Sequence, residues 1–235
     1  MKKNLDGYIL TFLIIIFSGA PLNAAFVSYS SQADFFADIS ALGLATPQTL
    51  NFDSMAAGTT IPGGGTVEGV TFTYALDGYD ILVDSGFSTT SGSNYIGVDD
   101  GSGAFLFGDK FTMTFDQPVH AVGLYVIAEP DAALAGDFVL IAGAGSGFVS
   151  NAGVPAQFLT DGDAYFLGLI QNDTNPGFSR ATLSSTFVPD PAEEWFAFTV
   201  DDITTAPIPL PPTVLLILSG VVILAGLRRR SKRFS

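Results

Sequence analysis

Lys110-Phe111-Thr112-Met113-Thr114-Phe115 alternates apolar and polar residues without a break, and it decides the fold. A side-chain period of two belongs to a β-strand with one buried face, so Phe111, Met113 and Phe115 are predicted to share that face. Downstream, past Asp116-Gln117-Pro118, Val119 to Ile127 is longer and mostly apolar, which predicts a central strand covered on both sides. The same reading extends outward to Thr49–Phe52, Val70–Tyr74, Phe138–Ile141, Tyr165–Ile170, Phe178–Leu183 and Trp195–Val200. Clusters of Gly, Pro, Asp and Ser separate these runs, among them Pro62-Gly63-Gly64-Gly65, Asp99-Asp100-Gly101-Ser102-Gly103 and Gly143 to Gly147. Many short strands with such turns predict an all-β, two-sheet β-sandwich of the jelly-roll kind. One helix precedes it: Ser31 is its cap, Asp34 follows three residues on, Phe35, Phe36, Ile39 and Leu42 fall at helical spacing, and Gly43 stops it.

Composition supports this reading. The 235 residues include 26 Gly and 21 Phe but no Cys. Without Cys there are no disulfides, no thiol catalysis and no Cys-based zinc site. Charge is divided sharply along the chain. Residues 26–206 hold 22 acids against two bases, Lys110 and Arg180, a net of −20. Nucleic acid is thereby excluded as a partner, because neutralising phosphates requires Lys and Arg.

The two ends read as targeting segments. Lys2 and Lys3 precede an apolar run from Tyr8 to Phe17, followed by Gly19, Pro21 and Asn23-Ala24-Ala25. Basic, apolar and small residues in that order predict a signal peptide over residues 1–25. At the other end, Pro207-Ile208-Pro209-Leu210-Pro211-Pro212 leads into an apolar run reaching Leu227, and Arg228-Arg229-Arg230-Ser231-Lys232-Arg233 follows. From Leu210 the run is roughly 27 Å long as a helix, just under a bilayer core, so one C-terminal transmembrane helix is predicted. The basic cluster stays cytoplasmic, which puts the acidic body, residues 26–206, outside the inner membrane.

The tail, residues 207–235, resembles the PEP-CTERM sorting signal of Gram-negative biofilm bacteria. The Pro207–Pro211 motif, a Gly-interrupted helix at Leu215–Gly220 and the Arg228–Arg230 stop carry the resemblance. The central Glu of that signal is absent here, as in Val-Pro-Leu-Pro-like variants. The resemblance implies an exosortase as processing partner, transient anchoring in the inner membrane, and final residence at the cell surface or in the extracellular matrix. Two other readings stay open. Leu210-Pro211-Pro212-Thr213 begins like a Gram-positive sortase motif but continues with Val214, and the tail could serve as an anchor that is never cut.

The body also resembles uncharacterised jelly-roll domains that travel with such tails, through Phe35-Phe36, Asn51-Phe52-Asp53, Gly69–Phe72, Phe115–Val119 with Gly123, Phe166-Leu167-Gly168 and Phe198–Ile203. Related sandwiches include carbohydrate-binding modules, and by that resemblance Asp53 and Asp202 are the positions expected to hold a calcium ion. Asp99-Asp100-Gly101, Asp161-Gly162-Asp163 and Asp201-Asp202 are further oxygen-rich groups, readable equally as turn formers.

Catalytic signatures are missing. There is no Gly-x-Ser-x-Gly, no His-Glu-x-x-His and no phosphate loop, and His120 is the one histidine. Glu193 and Glu194 are adjacent, so on a strand they point to opposite faces. Trp195 and Tyr95 are the expected ligand-binding aromatics, with Tyr74 and Tyr79 behind them, since a ring face covers sugar C–H groups. The expected function is therefore non-catalytic adhesion to, or interaction with, extracellular polysaccharide. The alternatives are a secreted hydrolase of that matrix and a structural surface protein without a small ligand.

Overall fold

The computed structural model describes residues 25–74, 78–106, 108–172, 176–186 and 197–207. The signal peptide, Trp195, Glu193, Glu194 and the tail beyond Pro207, including Ile208, Pro209, Leu210, Pro211 and the Arg228–Arg230 stop, lie outside the described residues. Among those described, no helix is long and apolar enough to cross a membrane.

The described residues begin with β1 (Phe26–Tyr29), α1 (Gln32–Ala41), β2 (Gln48–Leu50), β3 (Thr59–Ile61), β4 (Thr66–Val67) and β5 (Val70–Tyr74). They continue with β6 (Ile81–Asp84), β7 (Tyr95–Val98), β8 (Phe105–Leu106), β9 (Lys110–Ala128) and β10 (Phe138–Ala142). The last elements are β11 (Gly147–Ser150), β12 (Gln157–Phe158), β13 (Asp163–Gln171), β14 (Phe178–Ser185) and β15 (Ala197–Pro207). Among the described residues the protein is mostly β with one helix, as the alternation predicts.

The long strand β9 organises the rest. Its first half pairs with β5 and β14, and its second half pairs with β13 and β15, all antiparallel. Asp116-Gln117-Pro118, which separates the two runs in the sequence, is part of one continuous strand. All three residues are exposed, and the ladder with β14 shifts register there, from Arg180↔Thr114 to Phe178↔Val119. A proline is tolerated at such a break because it removes one ladder donor where pairing already slips. All fifteen described strands consequently belong to one hydrogen-bonded network.

The main core is built from residues of most of these strands. Phe111, Met113 and Phe115 are buried together, as their spacing requires. Phe138 of β10 meets Phe198 of β15 with ring centroids 5.0 Å apart, and Phe105 stacks between Phe111 (5.2 Å) and Phe198 (5.3 Å). A second cluster covers the outer face of β9 and β13, where α1 contributes Phe35 and Ile39. Ser31 caps this helix, its hydroxyl accepting from Asp34 N–H at 3.3 Å. Leu42, predicted to share the buried face, is exposed at the C-cap instead. His120 sits half-buried inside β9.

Candidate functional site

The hairpin β6–β7 is joined by ten residues, Ser85-Gly86-Phe87-Ser88-Thr89-Thr90-Ser91-Gly92-Ser93-Asn94. Nine are Ser, Thr, Gly or Asn, so the loop brings little apolar surface of its own and must be held by hydrogen bonds. Carboxylates do most of the holding. Asp84 accepts from Ser85 N–H (2.7 Å) and Asp161 from Ser88 N–H (3.0 Å). Asp201 Oδ2 accepts from Thr90 N–H (2.9 Å), the Thr90 hydroxyl (2.8 Å) and Ser91 N–H (3.2 Å). Asp202 accepts from the Thr90 hydroxyl (3.0 Å) and the Ser91 hydroxyl (2.6 Å). Asp53 Oδ1 accepts from Ser93 N–H (2.8 Å) and Asn94 N–H (3.1 Å). Asn94 then ties the loop end to the carbonyls of Phe52 and Met55.

A β-bulge in β15 makes this possible. The ladder with β9 slips between Asp201 and Thr204, and Asp202 takes φ +52°. A residue in the left-handed region breaks strict alternation, so two consecutive carboxylates serve one loop. Asp201 is fully buried. Burial, with Asp202 beside it, pushes its carboxyl from 3.8 up to about 6, against the lowering effect of the Thr90 and Ser91 donors.

The loop forms one wall of a surface groove with a cavity volume of about 690 Å³. Phe87 and Phe158 line it, together with the hydroxyl side chains Ser85, Ser88, Thr89, Ser93 and Thr160. None of its lining residues is titratable. Phe158, from β12, is 73% exposed and Phe87 45%. The Phe87 ring rests on Tyr95, centroids 5.8 Å apart, which gives it a fixed backing.

The expected site residues distribute unevenly. Tyr95 is fully buried, and burial with Asp84 nearby pushes its hydroxyl up to about 12; it supports the groove from beneath and is not on a rim. Tyr74 donates to Asp109 at 2.9 Å, and Tyr79 is half-exposed elsewhere. Asp53 and Asp202 belong to one neighbourhood, where they grip successive parts of the same loop. Among the described residues no group of three or more His, Cys, Asp or Glu side chains lies close enough to hold a metal. Asp100 braces its own turn through Ser102, and Asp163 accepts from Asp131 N–H.

A second hollow of about 240 Å³ contains Glu68 and Asp116. These two acids stand on adjoining backbone, since Asp116 N–H donates to the Gly69 carbonyl at 2.9 Å. Phe87 and Phe158 are not among the aromatics expected at a site, because that expectation is drawn from Trp and Tyr. A lone aromatic inside a Ser/Thr/Gly loop is the signal that marks Phe87.

No family model matches the chain, and no curated protein matches it. Among solved structures, the K2 cleaved adhesin domain of Lys-gingipain aligns with a TM-score of 0.40 and 14% identity, over 68% of this chain and 99% of that domain.

Proposed function

We propose that this protein is exported through its residue 1–25 segment, sorted through its residue 207–235 tail by an exosortase, and retained at the cell surface or in the matrix. There its sandwich, read as a jelly roll, binds extracellular polysaccharide without catalysis. The observation that supports binding is the pair of exposed rings, Phe87 and Phe158, in one hydroxyl-lined groove. Aromatic faces cover the C–H surface of a sugar, and hydroxyls exchange hydrogen bonds with its rim. Acid–base hydrolysis of a glycoside needs two carboxylates across the scissile bond, and this groove's lining supplies none. A matrix hydrolase would have to draw on acids outside that lining: Glu68 and Asp116, which come from adjoining rather than facing backbone, or Glu129 and Asp161, which line a hollow of only about 40 Å³ beside Phe87.

Two measurements test this. The full chain in a non-ionic detergent is screened on a glycan array against the double variant Phe87→Ala, Phe158→Ala. Binding that disappears in the variant supports the reading, and binding that persists unchanged contradicts it. In the native host, deletion of residues 207–235 releases the body into the medium; a truncated protein that stays cell-bound contradicts the sorting half.

A further inference from the structure

The wall of the Phe87–Phe158 groove is held in place by acids. Asp84, Asp161 and Asp53 accept from the backbone N–H groups of Ser85, Ser88 and Ser93, three residues that line it. Asp161 and Asp53 are themselves exposed. Asp201 and Asp202 add two more carboxylates under Thr90 and Ser91. Among the described residues the bases are Lys110 and Arg180, which lie opposite Ser184 and Thr114 on the β14–β9 ladder, to which none of these acids belongs. Fields from several like charges around one cleft add and concentrate there, raising the local concentration of the opposite charge.

We infer that the groove is selective for polysaccharides bearing free amino groups, such as a de-N-acetylated hexosamine polymer, and against uronate-bearing ones. This rests on the glycan-binding reading above and adds the ligand's charge to it. The sugar C–H face lies on Phe87 and Phe158. An ammonium on the same ring is attracted both by the aromatic faces and by the exposed Asp161. A carboxylated sugar meets repulsion from the same acids, while a neutral or N-acetylated sugar gains the stacking alone.

The test titrates the full chain in non-ionic detergent with four hexasaccharides: glucosamine, N-acetylglucosamine, glucose and mannuronate, each β-linked. The glucosamine hexamer is expected to bind about 10-fold more tightly than the N-acetylated one at low salt, with the advantage falling to about threefold or less near 0.5 M salt, where charges are strongly screened. Mannuronate is expected not to bind. Asp161→Asn, which keeps an acceptor for Ser88 N–H, is expected to reduce the preference for the glucosamine over the N-acetylglucosamine hexamer severalfold. Equal affinity for the amine-bearing and N-acetylated hexamers overturns the selectivity and leaves glycan binding standing. Failure of all four overturns both. Glucosamine binding that survives Phe87→Ala, Phe158→Ala is polycation adhesion to an acidic surface, and it overturns the inference as well.

Discussion

Asp201 and Asp202 are consecutive residues of β15, yet both carboxylates accept from the single hydroxyl of Thr90, at 2.8 and 3.0 Å. Regular pleating would send them to opposite faces. The bulge at Asp202 turns both toward the loop that carries Phe87. One hydroxyl proton serves two carboxylates, and one of them is wholly removed from water.

This arrangement fixes how stability responds to acid. The Asp201 carboxyl sits near 3.8 when unfolded and is pushed to about 6 when folded. The folded state thus binds the proton more tightly, and at neutral pH it bears the cost of keeping the group ionised. As pH falls through about 6 toward 3.8 that cost is relieved, so this group's contribution to stability rises, by up to about 3 kcal/mol. Asp109, raised mainly by burial, acts in the same direction. The melting temperature should therefore be higher at pH 5 than at pH 7.5, and Asp201→Asn should flatten the difference. A variant whose pH profile overlays the wild type would show that Asp201 does not titrate in this range.

Between the two Asp anchors the loop passes through Gly92, whose φ is +59°. A β-carbon there would overlap the Asp53 carboxylate, which holds Ser93 and Asn94. Gly101 also has a left-handed φ, +91°, but a β-carbon there meets open space. Gly101→Ala should cost about 1–2 kcal/mol, the backbone penalty alone. Gly92→Ala should cost clearly more, because the Asp53 bonds are lost as well. Denaturant titration of the two variants separates these cases, and equal costs would mean that Asp53 moves aside freely.

Where the sequence carried a long period, the structure follows it. Phe111, Met113 and Phe115 are buried together, and α1 begins at its Ser31 cap. Strands of two or three residues, such as β4, β8 and β12, are too short to show any period. Pro118 reads as a divider by its chemistry, but the strand runs through it because its neighbours on each side pair with different partners. The site was less legible than the fold. Its acids come from segments distant in sequence, 53, 161 and 201–202, and nothing local says that they converge on residues 85–94. The bulge that unites Asp201 and Asp202 is a backbone feature that residue types alone do not announce.

Thr199 offers a test of polar burial. It lies in β15 with 3% exposure, and its hydroxyl has no hydrogen-bond partner among the described residues. A buried hydroxyl without a partner costs more than a methyl of the same size. Thr199→Val should therefore leave the fold intact and raise its stability by about 1 kcal/mol. A loss of that size, measured in denaturant, would instead reveal a bond that the hydroxyl makes in solution.

The seating of α1 depends on two glycines that face each other. Gly123 of β9 and Gly168 of β13 are register partners, and together they open a hollow on the outer face of the sheet. Phe35 fills it, fully buried, with its ring 5.3 Å from that of Phe166. A β-carbon at Gly123 would stand 2.7 Å from Phe166 Cζ and 3.1 Å from Phe35; one at Gly168 would stand 2.8 Å from each ring. Both rings are packed on all sides and cannot yield cheaply. Phe35→Ala should cost about 3–5 kcal/mol by leaving a cavity. Gly123→Ala should cost about 1–3 kcal/mol by overpacking. The two changes act on one space, since removing the ring makes room for the added methyl. Their combined cost should fall short of the sum by at least about 0.5 kcal/mol, the coupling expected of residues in direct contact. Strict additivity in a double-mutant cycle would mean that Phe35 does not occupy the hollow above Gly123.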